Sequence, residues 1–174
     1  MRVRKFGKIA LRFSLAITLI GFFLPESDWV IPVAGENTSS WDSNSFWAYP
    51  WGVSGTHKGI DIFAPKHQAV ISPTYGLVLY TDSLPRGGNV VYLLTPKWRI
   101  HYFAHLHSIE TEVLSLVKTT DLLGTVGNTG NAQNRPSHLH YSIYTPFPHF
   151  WLIDNDPQGW KKMFYLNPER LLKR

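Results

Sequence analysis

The chain has 174 residues, 44% of them hydrophobic and 17% charged, which is enough apolar material for one domain with its own core and excludes a disordered chain or a collagen-like fibre. Its formal charge of +5 is concentrated at one end: Arg2, Arg4, Lys5, Lys8 and Arg12 precede the first acid, Glu26, and the other twelve basic residues balance the twelve acids, so no basic nucleic-acid-binding face is expected. Cysteine is absent, which excludes disulfides, thiolate metal sites and thiol nucleophiles and leaves eight histidines as the main supply of metal ligands.

In chain order, the cationic start is followed by an uncharged, mostly apolar run over residues 13–24 that stops at Pro25 and Glu26. This is the pattern of an export signal. At twelve residues the run is shorter than the roughly 18 to 20 expected of a comfortable membrane-spanning helix. No small-x-small cleavage site follows it, since Ala34 has Pro32 two positions before it, so a retained signal anchor with its N-terminus in the cytoplasm is expected. Residues 25–54, rich in Ser, Asn, Gly, Pro and Trp, read as a linker passing into a covering loop. Short β-type runs follow at 69–71, 76–81, 89–95, 99–104 and 139–145, separated by turn chemistry such as Pro85-Arg86-Gly87-Gly88 and Gly127-Asn128-Thr129-Gly130. Helix is expected only around 110–117 and over 168–172, the latter with a proline in its first turn. The fold class is therefore all-β or β-dominated.

Three clusters carry candidate chemistry. In His57-Lys58-Gly59-Ile60-Asp61, extended chain puts His57 and Asp61 on one side, with Gly59 leaving the space between them open. In His138-Leu139-His140, followed by a β-run, both histidines point to the same side of a strand. The third cluster, His101, His105 and His107, falls at odd-numbered positions of a probable strand, so the three could share a face. Spacing alone leaves open which clusters meet. Three N and O ligands with a fourth position free would make a catalytic zinc centre, although residue type does not distinguish zinc from copper, nickel or iron. His67, His149, His101 and His107 are expected to be structural or surface residues.

Over residues 31–172 five spaced blocks stand in order: Gly55-Thr-His57-Lys-Gly-Ile-Asp61, Val70-Ile-Ser-Pro-Thr-Tyr-Gly76, Tyr102-Phe-Ala-His105-Leu106, Gly124-Thr-Val-Gly127-Asn-Thr-Gly130-Asn131, and Ser137-His138-Leu-His140-Tyr. In these blocks the sequence resembles the lysostaphin-type or LytM-type zinc metallopeptidases that cut peptide bonds in bacterial peptidoglycan. It departs from the family pattern at Lys66-His67, where glycine is usual, and at Arg135-Pro136-Ser137. The resemblance implies a metallopeptidase domain over 55–174 of barrel-sandwich type with antiparallel sheets. It also implies one Zn2+ held by His57, Asp61 and His140, and His105 and His138 as non-ligand histidines that move protons. A zinc-dependent endopeptidase acting on peptidoglycan peptides outside the bacterial membrane is then expected. The alternatives are a non-catalytic regulator of the same fold, and a wall-binding module in which Trp41, Trp47, Trp51, Trp98 and Trp151 stack on sugars. Nothing in the sequence demands more than a monomer.

Overall fold

The computed structural model describes residues 2–26 and 29–173. It opens with α1 (Arg2–Phe23), after which the body is almost entirely antiparallel sheet: β1 (Ile60–Phe63), β2 (Ala69–Ile71), β3 (Gly76–Leu84), β4 (Gly88–Thr95), β5 (Arg99–Leu106), β6 (Ser108–Ile109), β7 (Leu116–Val117), β8 (Leu122–Thr125), β9 (His138–Tyr144) and β10 (Tyr165–Leu166). The chain ends in α2 (Pro168–Leu172), started by Asn167, whose side chain accepts from the Glu169 amide, and by Pro168 at the first helical position.

The main sheet runs β1-β9-β5-β4-β3-β7, with β10 beside the second half of β9, and a smaller sheet runs β2-β8-β6. Both are open, so the β-dominated antiparallel fold is as expected but neither sheet closes into a barrel. The period-2 alternation of the strands sorts their side chains. Leu139, Tyr141 and Ile143 of β9 face the core with Phe103 of β5 and Val91 and Leu93 of β4, all fully buried. His138, His140, Ser142 and Tyr144 take the opposite face. Burying each large core side chain stabilises the fold by about 1.5 to 3 kcal/mol, so the core fixes which face of β9 the histidines occupy.

The segment before β1 has little regular structure but is built into the body. Val33, Trp41 and Trp47 are buried, the Trp47 indole donates to the Pro157 carbonyl at 3.0 Å, and the Trp41 indole donates to Glu169 at 3.4 Å. These two tryptophans are therefore unavailable as sugar-stacking surface. The expected helix around 110–117 is absent. Leu114 has φ 69°, which breaks any helix there, and the segment turns into the short β7 edge strand instead.

The C-terminal part of α1 is clamped on the body. Trp98 donates its indole N–H to the Thr18 carbonyl at 2.9 Å, Phe22 packs edge-on against Phe147 at 4.7 Å, and Glu26, just beyond the helix, pairs with both Arg99 and Lys97. Gly21 lies against the Trp98 ring, where a Cβ would collide with it. Leu11, Phe13, Leu15, Leu19 and Phe23 are exposed. Among the described residues no helix is long and apolar enough to cross a membrane.

Candidate active site

The pairing of β1 with β9 sets Asp61 directly opposite His140 and Phe63 opposite His138. Directly opposed residues of an antiparallel pair have Cβ atoms about 5 Å apart, so the ladder itself brings the carboxylate to the imidazole. Gly59 permits the close approach, since a Cβ there would collide with the Tyr141 carbonyl and crowd Ser142. His57 lies just before β1 and is placed by the covering loop: its N–H donates to Ala48 at 3.0 Å, and its carbonyl accepts from Trp47 at 2.6 Å. The Trp51 ring stacks on the His57 imidazole with centroids 4.1 Å apart.

Three ligand-type atoms converge. His57 Nε2 is 3.1 Å from Asp61 Oδ1, His140 Nδ1 is 2.8 Å from the same oxygen, and the two ring nitrogens are 3.0 Å apart. Donors of a tetrahedral zinc at about 2.0 to 2.1 Å sit roughly 3.3 Å from one another, so this triangle is close to the size such an ion requires. Among the described residues it is the group of histidines and acids that could hold a metal ion. The chemistry of the donor set fits as well. His57 Nδ1 donates to the Ser45 carbonyl at 2.9 Å, which leaves Nε2 with its lone pair toward the centre. His140 Nε2 lies 3.0 Å from Ser142 Oγ, and when it donates there its Nδ1 is also an acceptor. Two lone pairs and a carboxylate then face one point, an arrangement that a cation relieves. Without a cation, the same ring nitrogens can instead carry protons toward Asp61: burial then raises its pKa, but the hydrogen bonds that His140 and His57 donate outweigh it and hold the carboxyl well below the usual range.

His105 and His138 stand beside this triangle, their rings 5.1 Å apart and the His105 ring 6.0 Å from that of His140. Each is oriented by a carbonyl: His138 Nδ1 donates to Pro136 at 2.8 Å and His105 Nδ1 to Thr129 at 2.9 Å, so both keep Nε2 free. Burial, with the nearby His140 and His138, pushes the His105 pKa down to about 4, so it is neutral at pH 7.

The third cluster does not act as one face. His101 is fully buried, bonded to Tyr141 at 2.6 Å and Thr95 at 3.1 Å, while His107 packs edge-on against exposed His67 at 4.1 Å, away from the convergence. His105 leaves the His101 face because its φ is 63°, at a bulge where β5 carries an extra residue against β4. The supporting partners Ser45, Thr129, Pro136 and Ser142 escaped the sequence reading. Ser142 alone had a legible signal, sharing the strand face of His138 and His140.

The chain belongs to peptidase family M23, whose sequence pattern matches residues 55–154. It is 31% identical over 124 residues to the L-Ala–D-Glu endopeptidase of Bacillus subtilis, covering 60% of this chain and 38% of that protein. It is 28% identical over 120 residues to the murein hydrolase activator NlpD of Escherichia coli, covering 68% and 28%. The chain therefore spans well under half the length of these relatives. In fold it is similar to the catalytic domain of lysostaphin from Staphylococcus simulans, with TM-score 0.62 and 21% identity, over 78% of this chain and 95% of that one.

Proposed function

We propose that the protein is a zinc-dependent endopeptidase that hydrolyses peptide bonds of bacterial peptidoglycan. The observation that carries this reading is the convergence of His57, Asp61 and His140 to within 3.1 Å of one another, with two carbonyl-oriented histidines alongside. His57, Asp61 and His140 would hold the metal, and Ser45 and Ser142 would fix the ring orientations of the two histidine ligands. A zinc ion bound there supplies a Lewis acid for the scissile carbonyl and acidifies a water to a pKa of about 7. His105 and His138 each offer a free Nε2 on the open side of the site. One would take a proton from the attacking water and pass it to the leaving amine, and the other, when protonated at Nε2, would donate to the developing oxyanion.

Export is part of this reading. The cationic start and apolar run of α1 have the pattern of a signal segment, and the exposed apolar side chains of the helix suit a lipid surface, which would leave the body on the wall side of the membrane.

The test is elemental analysis of the purified chain, wild type beside His140→Ala, with hydrolysis of purified peptidoglycan followed on the same samples. About one zinc per wild-type chain, lost together with activity in the variant, is the expected result. A second reading, a non-catalytic activator, draws on the similarity to the activator NlpD. Stoichiometric zinc without hydrolysis of any wall type would favour it.

A further inference from the structure

On the same sheet face as His140 a floor of tyrosines leads away from the metal-type triangle. The Tyr102 ring is 6.1 Å from His140 and 6.5 Å from Tyr144, and Tyr144 is 5.8 Å from Tyr165. The floor ends in a cavity of about 490 Å³ whose lining includes Ile100, Tyr144, Trp160 and Tyr165 and two lysines, Lys58 and Lys161. Lys58 is the residue after His57, and Tyr144 is four residues from His140 on β9, about 13 Å along the strand at roughly 3.3 Å per residue. The cavity thus lies beside the candidate site, along the same face of β9.

Its two cations are held in place without being neutralised. Lys58 Nζ donates to the Ser54 carbonyl at 2.8 Å, the Thr56 carbonyl at 3.2 Å and the Thr56 hydroxyl at 3.1 Å, all uncharged oxygens. Lys161 Nζ donates to Gln158 at 3.2 Å and lies 5.5 Å above the Trp160 ring. Among the described residues neither lysine forms an ion pair. The nearby acids do not serve them. Asp154 and Asp156 are both taken by Lys162 and do not line the cavity. Two like charges fixed in one aromatic-walled cavity repel unless an anion comes between them, so an incoming carboxylate gains from both at once.

We propose that this cavity is a subsite for a free carboxylate on the peptide substrate, within about four residues of the cleaved bond. The substrate class is then an acidic peptide rather than a neutral bridge. The inference rests on the endopeptidase reading and adds a specificity to it.

The test gives the zinc-loaded full chain two wall-stem peptides identical except that the α-carboxylate of their glutamyl residue is either free or carried as the carboxamide. The wild type is expected to prefer the free acid by about tenfold in kcat/KM, mostly through KM, and to lose much of that preference in 0.5 M salt. Lys161→Gln and Lys58→Gln should each bring the ratio toward parity. Equal use of the two peptides by the wild type, or a preference that survives both substitutions, would overturn the subsite. If neither peptide nor whole peptidoglycan is cut, the endopeptidase reading fails instead. Calorimetric binding of the same two peptides to the full chain then decides the subsite on its own: a preference for the free acid supports it and equal affinity overturns it.

Discussion

His105 is held with φ 63° in a conformation that costs a residue with a Cβ about 1 to 2 kcal/mol, and it is repaid by turning a ring that strand alternation would bury toward the metal-type triangle. The strain is testable apart from activity: His105→Gly should be more stable than His105→Ala by about 1 kcal/mol in urea denaturation, although both lack the imidazole. On the endopeptidase reading, His138→Ala should lower kcat by about 10²- to 10⁴-fold while retaining zinc, and His57→Ala should lose metal and activity together. His101 predicts a pH effect of a different kind. Burial, with the Arg99 charge adding to it, pushes its pKa down to about 3, below the value of about 6.5 in the unfolded chain. The unfolded state then binds the extra proton, so the stability His101 contributes is complete above pH 6.5 and is lost as the pH falls from there toward 3. Urea midpoints between pH 7.5 and 4.5 should therefore fall by more in the wild type than in His101→Gln, by up to about 1 kcal/mol of stability per pH unit below 6.5.

At the scale of elements, the site depends on the fit of β1 against β9. Gly59→Ala would place a methyl against the Tyr141 carbonyl, and the expected result is a loss of about 1 to 3 kcal/mol together with weaker metal binding, read by denaturation and by zinc titration. The strands were the legible part of the sequence. The runs at 69–71 and 89–95 match β2 and β4 to within a residue, because β-branched and aromatic alternation between turn signals is a local property. The opposition of Asp61 and His140 was not legible from spacing, since the two are brought together by pairing between residues 79 apart in sequence, and the family resemblance had to supply it. Two features failed for local backbone reasons: left-handed conformations at Leu114 and His105 ended an expected helix and turned an expected strand face, at residues that do not advertise positive φ. The covering loop was expected, but not how firmly it is built in. Its order comes from Trp41 and Trp47 docking on residues more than a hundred positions away.

Across the whole molecule the charge is divided between a cationic first helix and a body with no net charge, so on the endopeptidase reading long-range attraction to an anionic wall would contribute little, and selectivity would fall to local groups around the site. The helix meets its surroundings through Leu15 and Leu19, both exposed. Replacing both with Asp should move the full chain from the membrane pellet to the soluble fraction without changing its zinc content; a wild-type chain that is already soluble would refute membrane attachment through α1. The clamp of Trp98 on Thr18 and of Glu26 on Arg99 and Lys97 gives this arrangement a further meaning. A helix joined to its domain through a fixed joint is not a leash. With α1 lodged in a bilayer, the groove could sweep no farther than the width of the domain itself, about 40 Å, so its working territory would be the innermost layer of wall next to the membrane, renewed only as the protein diffuses sideways.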